Sequence, residues 1–353
     1  MLTEQQIMDY SLKYLSAATW ATICPHIFLV QPIGFFRQPE KRTCIMLEIL
    51  ECATLASVQD LGRYGLRRFG IGHAGAMDTL ALKAGNLLLQ NEENAAAIEV
   101  VLGSISMRFE RDTPFCLTGA VYQADLDGES VHSYWRYTAR AGQTLRLIRA
   151  VHGMYGYVCV HGGLDVAEVL GARSTDLKAA FGGHQGRNLK AGDRIALGGS
   201  ACEMQRIGIA PIPFTNRIHA LPSSEYTAFT RNAHYRFWQN PWTLQSDSNR
   251  MGYRFGGSVL NKVKEIEMLS HAVQFGTVQV PPSGQPIVLM ADTQTTGGYP
   301  KIATVVAADL GHLAQIRFGG KVFFQIATPQ EAAKLKRHNE AYLHQIGVIA
   351  KKK

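Results

Sequence analysis

A mainly β chain with a few helices, arranged as barrel-like units, is predicted by three observations. Glycine is abundant, 34 of 353 residues, and it clusters in loops between Val-, Ile- and Leu-rich runs. Those runs are short and spaced as in a barrel or sandwich, without the regular alternation of a β-α-β chain. The two halves also echo each other: YGYVCVHGGLDVAEVLG with GRNLKAGDRIALG in one, QPIVLMADTQTTGGYPK with AQIRFGGKVFFQIA in the other. In each, an apolar strand enters a small-residue loop and a glycine turn launches the last strand. Two pseudo-duplicated β-rich subdomains are therefore expected.

Residues 1–45 read as a poorly structured extension ahead of a natural start at Met46. Tyr14 to Phe36 contains no Asp, Glu, Lys or Arg, yet Pro25 and Pro32, with His26 and Gln31, argue against a spanning helix. Glu4 and Asp9 argue against a signal peptide, which would open on basic residues. Residues 46–205 form the first predicted subdomain. LEILECATL and ASVQD are strand runs, followed by the glycine-rich DLGRYGLRRFGIGHAGAMD. Asp78 is placed to cap a helix over TLALKAGNLLLQ, where Leu80, Ala84, Leu87 and Leu88 share a face. Ala95 to Val101, SISMRF, TPFCLTG, TLRLIRA, YGYVCVHGG and DRIALGG read as further strands. Pro211, Pro213 and Pro222 mark a boundary, and residues 206–327 form the second β-rich subdomain. Residues 328–353 are a helix with a basic tail, with Thr328 as N-cap and Pro329 in the first turn.

Composition narrows the function. Lys and Arg exceed Asp and Glu by eight, but outside the tail they are scattered, with no basic stripe interleaved with aromatics. No nucleic acid or membrane partner is expected. The six cysteines, Cys24, Cys44, Cys52, Cys116, Cys159 and Cys202, show no C-x-x-C pairing. Free thiols in a reducing cytoplasm suit that pattern better than zinc or disulfides. There is no P-loop, dinucleotide fingerprint, nucleophile elbow or H-E-x-x-H, and no metal site is predicted. The chain also lacks an Ala-Met-Lys-Met stretch, so it carries no covalent biotin itself.

Three segments carry candidate chemistry. In ADTQTTGGYPK, Asp292, Gln294, Thr295 and Thr296 supply acceptors and donors, and Gly297 and Gly298 let backbone N–H groups approach an anion. Tyr299 adds a phenol and a flat face, and Lys301 adds positive charge. In VQDLGRYGLRRFGIGHAGAMD, Asp60 could move a proton, Arg63 could fork onto a carboxylate or phosphate, and Asp78 opens a helix. In SDSNRMGYRFGG, Asn249, Arg250 and Arg254 could grip an anion, two arginines four residues apart.

In the order QDLGRYG…GAMD, SNRMGYR and VQVPPSGQPIVLMADTQTTGGYP, these segments resemble the biotin-dependent carboxyltransferase-domain family, long labelled allophanate hydrolase subunit 2. The likeness runs from Met46 to about Ala327. It implies a cyclophilin-like β-barrel architecture. It also implies a hydrolase, active only with partners, that opens the cyclic amide of 5-oxo-L-proline to L-glutamate at the expense of ATP. The implied partners are the B subunit of such an enzyme, similar to a sporulation-kinase inhibitor, and its A subunit. ATP, with or without Mg²⁺, would sit on this chain or on a partner. The family transfers no catalytic residues, so chemistry assigns the roles. Arg63 or Arg254 would hold the carboxylate or phosphate, Gly297, Gly298 and Thr295 the oxyanion, and Asp60 or Asp292 the proton. Carboxyl transfer from a biotinylated partner, and a purely regulatory module binding a kinase inhibitor, are the alternatives.

Overall fold

The computed structural model describes residues 46–264 and 268–351. The predicted extension over residues 1–45 lies outside the described residues, as do Cys24 and Cys44. Strands dominate, with four α-helices among the described residues, and they form one open sheet, one closed barrel and a two-stranded ribbon.

The open sheet has nine strands, with Met46–Cys52, Ala56–Gln59, Ala97–Val101, Ile105–Phe109 and Arg194–Ala196 in its main path. Its backbone is Thr144–Val160, a single strand where two separate runs were expected. Gly153 and Gly156 give the sequence the look of a turn. In the fold Gly153 instead adopts φ 79° inside the strand. A Cβ at that position would stand 2.6 Å from Gln315 Oε1, so only glycine fits. The first half of this strand pairs with Ile105–Phe109 and the second half with Ala97–Val101. Thr113–Leu126 follows it along the other edge.

The barrel closes through seven strands: Arg217–Pro222, Lys301–Val305, Thr277–Gln279, Ile287–Leu289, Gly252–Gly256, Trp242–Leu244 and Lys321–Ile326. Closure comes from the parallel pairing of Arg217–Pro222 with Lys321–Ile326. Each β unit has its own apolar core, and the barrel's core contains Trp242, Tyr253, Phe255 and Phe324. Met154 and Tyr155, beside the bend of the long strand, pack into the barrel's core rather than the sheet's. Gln315 fixes this junction by accepting from the Met154 and Tyr155 N–H groups at 2.8 and 3.1 Å.

Helix Thr79–Leu88 starts where expected, with Asp78 accepting from the Ala81 N–H at 3.0 Å. Helix Pro329–Ala350 opens on a capping box between Thr328 and Glu331. No helix among the described residues is long and apolar enough to cross a membrane. Cys52, Cys116, Cys159 and Cys202 are free thiols.

Candidate functional site

The three motif segments meet at one side chain, Arg250. Its Nε and Nη2 donate to both oxygens of Asp292, at 2.9 and 2.8 Å, a bidentate fork. Nη1 donates to Glu99, and Nη2 also reaches the Gly75 carbonyl at 2.6 Å. Glu99 in turn accepts from the Met77 N–H at 2.9 Å and from the Tyr157 hydroxyl at 2.7 Å. The Tyr157 oxygen takes the Asp78 N–H at 2.8 Å, which wires the helix start to the cluster. Burial pushes the Glu99 carboxyl up, with Arg250 pulling the other way; burial also works against the Arg250 charge, but Asp292 and Glu99 together outweigh it and raise its pKa.

This cluster floors a cleft of about 940 Å³ between sheet and barrel. Leu55, Val101, Leu102, Ile148 and Phe318 make its walls apolar, while Lys178, Arg149 and Asn249 bring polar groups to it. Asn249 uses its Oδ1 to accept the Met251 N–H at 2.8 Å. A compact ligand with an apolar body and a polar edge suits such a cavity.

A second cleft, of about 920 Å³, adjoins the same stretch of chain a few residues on. Thr295, Thr296 and Lys301 line it with Arg67, Arg68 and His271. Lys301 is nearly buried, and its Nζ lies 3.2 Å from Glu225. Burial raises Glu225, but hydrogen bonds from Ser224 and Lys301 outweigh this and hold it below the ordinary carboxylate range. Gly297 pairs with His271 in a two-stranded ribbon, Gly298 follows it, and Tyr299 is 44% exposed.

Several predicted roles do not survive this geometry. Asp60 is buried, and its oxygens accept from the Gly62 and Arg173 N–H groups, at 2.8 and 2.6 Å, and from the Ser174 hydroxyl. It ties neighbouring loop segments together and lines neither cleft, so it has no site at which to handle a substrate proton. Arg63 is likewise buried, bonded to the Val169 and Ser174 carbonyls and stacked 4.5 Å from the Phe181 ring centroid. Burial lowers its pKa against the pull of Asp60, Asp176 and Asp292. It braces these segments from a position that lines neither cleft, and its Nη1 has no hydrogen-bond partner among the described residues. Asp292 does floor the first cleft, but both its oxygens are bound by Arg250, which places it as an ion-pair partner and not a proton carrier. Arg254 cannot share an anion with Arg250: strand alternation buries Tyr253 and Phe255 and sends Arg254 outward to Asp247, 3.3 Å away. Asp78 is a buried helix cap, bonded to Gln315 at 2.9 Å and pushed up by burial.

The glycine segment and the QTTGGYP loop do converge, through a residue that the motif pattern does not single out. Arg67 Nη2 donates to the Gln294 carbonyl at 2.8 Å and to that of Val273. Glu99 also escapes detection from the motifs. Its only signal is a lone acid inside the apolar run AAAIEVV.

The description "Carboxyltransferase domain, subdomain A and B" matches residues 69–326. The chain is 58% identical over 308 residues to the C subunit of the Haemophilus influenzae 5-oxoprolinase, an alignment covering 87% of this chain and 100% of that protein. It is 47% identical over 302 residues to the C subunit of the Escherichia coli K12 5-oxoprolinase, covering 85% and 97%. The crystal structure of the Kluyveromyces lactis urea carboxylase is similar in fold, with a TM-score of 0.79 at 22% identity, over 86% of this chain and 29% of that one.

Proposed function

The chain belongs to the family of carboxyltransferase domains with subdomains A and B, and from that premise we propose that it is the C subunit of an ATP-dependent 5-oxoprolinase. The observation that carries the reading is the 58% identity to the C subunit of a 5-oxoprolinase along that protein's entire length. The urea carboxylase likeness, at 22% identity, supports the fold alone. Biotin-dependent carboxyl transfer is thus the weaker reading.

The chemistry asks for two things the clefts supply. A lactam resists hydrolysis because its nitrogen lone pair is delocalised into the carbonyl. Transfer of the ATP γ-phosphoryl group to the amide oxygen, with ADP leaving, removes that protection. Two waters then complete ring opening and phosphate release, leaving glutamate, ADP and phosphate. The first cleft fits the ring: its walls take the methylene face, and Asn249 and the Arg250–Asp292 floor present polar groups to the amide edge. Lys178 and Arg149 offer cations to the substrate carboxylate. The A and B subunits complete the enzyme, and ATP is the co-substrate.

Reconstitution tests this. The chain is co-expressed with candidate A and B subunits, and glutamate release from 5-oxo-L-proline is measured with and without ATP. Release is expected only with ATP and all three chains. Undiminished turnover when this chain is omitted would overturn the assignment. A biotinylated protein co-purifying on a streptavidin blot, with turnover dependent on it, would instead support carboxyl transfer.

A further inference from the structure

Ring binding in the first cleft leaves the second unexplained, and its charges are unusual. Arg67 and Arg68 lie on the short 3-10 turn Arg67–Phe69 at its edge. Arg67 is half-buried, yet what holds it is a pair of neutral carbonyls, those of Gln294 and Val273. Its Nε and Nη1 have no hydrogen-bond partner among the described residues, and no carboxylate among them pairs with it. Burial lowers the Arg67 pKa with no acid opposing, whereas three aspartates oppose the same effect at Arg63. Arg68 is exposed, its guanidinium 4.7 Å from the Phe69 ring centroid, and it too lacks a carboxylate partner among the described residues. Lys301 is neutralised by Glu225. The described lining therefore carries two guanidinium charges without a counter-charge.

Hydroxyls complete the surface. Thr295 and Thr296 come from the loop, and Ser223 and Thr304 from the barrel. Ser223 and Thr304 bond each other at 2.9 Å. Whichever donates, the other keeps a proton to give. Donors thus approach from the 3-10 turn, the loop and the barrel. A planar carboxylate has two oxygens in one plane and one negative charge, too few for this arrangement. A tetrahedral dianion matches both the direction of the donors and the two guanidinium charges that meet no carboxylate among the described residues.

We propose that the second cleft binds a phosphoryl group, held by Arg67 and Arg68 with Thr295 and Thr296. The group would be either the terminal phosphate of a nucleoside polyphosphate or free inorganic phosphate. The assignment rests on the ring-opening reading only for where that phosphoryl group originates.

The test uses the isolated full chain and no turnover. Titration calorimetry at fixed ionic strength follows pyrophosphate, ATP and inorganic phosphate. Saturable one-to-one binding is expected for at least one. ATP or pyrophosphate alone would indicate a nucleotide tail; inorganic phosphate alone would indicate the released product. Arg67→Gln should weaken binding about tenfold or more, as loss of a charge-assisted hydrogen bond does. Arg67 also holds two carbonyls, so Arg68→Gln, at an exposed position, is the second variant, with an expected loss of about fivefold. Arg254→Gln makes the same charge change on a different surface and should leave affinity unaltered. Absence of saturable binding overturns the proposal. So does an equal loss in Arg254→Gln and Arg68→Gln, which would mean general charge attraction. Displacement of pyrophosphate by 5-oxoproline or glutamate would reassign the cleft to a carboxylate and overturn it too. Since partner subunits are absent, failed binding leaves the ring-opening reading standing, and a failed reconstitution leaves the binding result standing.

Discussion

On one side of the Asp292–Thr296 segment, Arg250 is buried and directs all three guanidinium nitrogens at the protein. On the other side, Arg67 and Arg68 meet no carboxylate among the described residues, although Arg67 is half-buried. The same residue type therefore serves opposite ends across a few residues of chain. A buried charge needs compensation, from a counter-charge as at Arg250 or from carbonyls as at Arg63, because its desolvation is not recovered otherwise. A charge at a cleft edge can stay unpaired, because water solvates it until a ligand arrives. The paired arginine joins the sheet, the barrel and the helix start. The two without a carboxylate partner among the described residues are what a ligand can use.

The largest break in that contrast should come from Arg250→Met. It leaves Glu99 and Asp292 buried, with their shared cation gone and the Gly75 carbonyl unsatisfied. Removing one partner of a buried ion pair costs about 3–5 kcal/mol, a sizeable part of the stability of a domain of ordinary size. Urea unfolding followed by fluorescence should show a lowered midpoint at unchanged slope, the product of slope and midpoint shift giving that energy. A cost under about 1 kcal/mol would mean that the cluster is solvated, and the contrast between the clefts would disappear.

A smaller effect is expected from Lys301→Met, which removes the Lys301–Glu225 ion pair at the second cleft. Glu225 keeps its Ser224 hydrogen bond and the backbone N–H of residue 301, at 3.2 Å, but loses the ammonium, and its carboxyl should titrate upward, towards the ordinary value, as burial gains weight. The sign follows from linkage. A carboxylate depressed in the folded state adds stability above its unfolded pKa and loses it as pH falls through the folded one. At pH 7 the variant should therefore lose on the order of 1–2 kcal/mol, and the gap to the parent should close in acid. Carboxyl-carbon NMR of Glu225 across the titration checks the direction. An unmoved midpoint would show that Lys301 is not its partner in solution.

Much of this was legible in the sequence, and what was not has a physical reason. The Asp78 and Thr328 caps were readable because capping is local: donor and acceptor lie three residues apart. The division of the strands between an open sheet and a barrel was not, because closure depends on a parallel pairing between residues about a hundred positions apart. The long strand reads as two because Gly153 and Gly156 resemble a turn, and only Gln315, from a distant segment, shows why glycine is required. Site residues divide in the same way. The segments stand out, since glycine loops with acids and arginines are rare in combination. Roles within them go astray, because Asp60 and Arg63 look reactive until their partners, Ser174, Arg173 and Val169, are known. Glu99 could not be paired from the sequence with Arg250, 151 residues on.

Arg68→Gln should produce the smallest effect on stability, and for that reason it sharpens the contrast most. The side chain is exposed, pairs with no carboxylate among the described residues, and contributes to the fold mainly by stacking on Phe69, itself 54% exposed. Surface substitutions of this kind shift stability by no more than about 0.5 kcal/mol, so the unfolding curve should overlay the parent's. If the clefts divide labour as their charges indicate, this silent variant still raises the anion's dissociation constant, while Arg250→Met damages the fold first. A clear loss of stability in Arg68→Gln would place Arg68 among the bracing residues, and its missing counter-charge would then no longer point to a ligand.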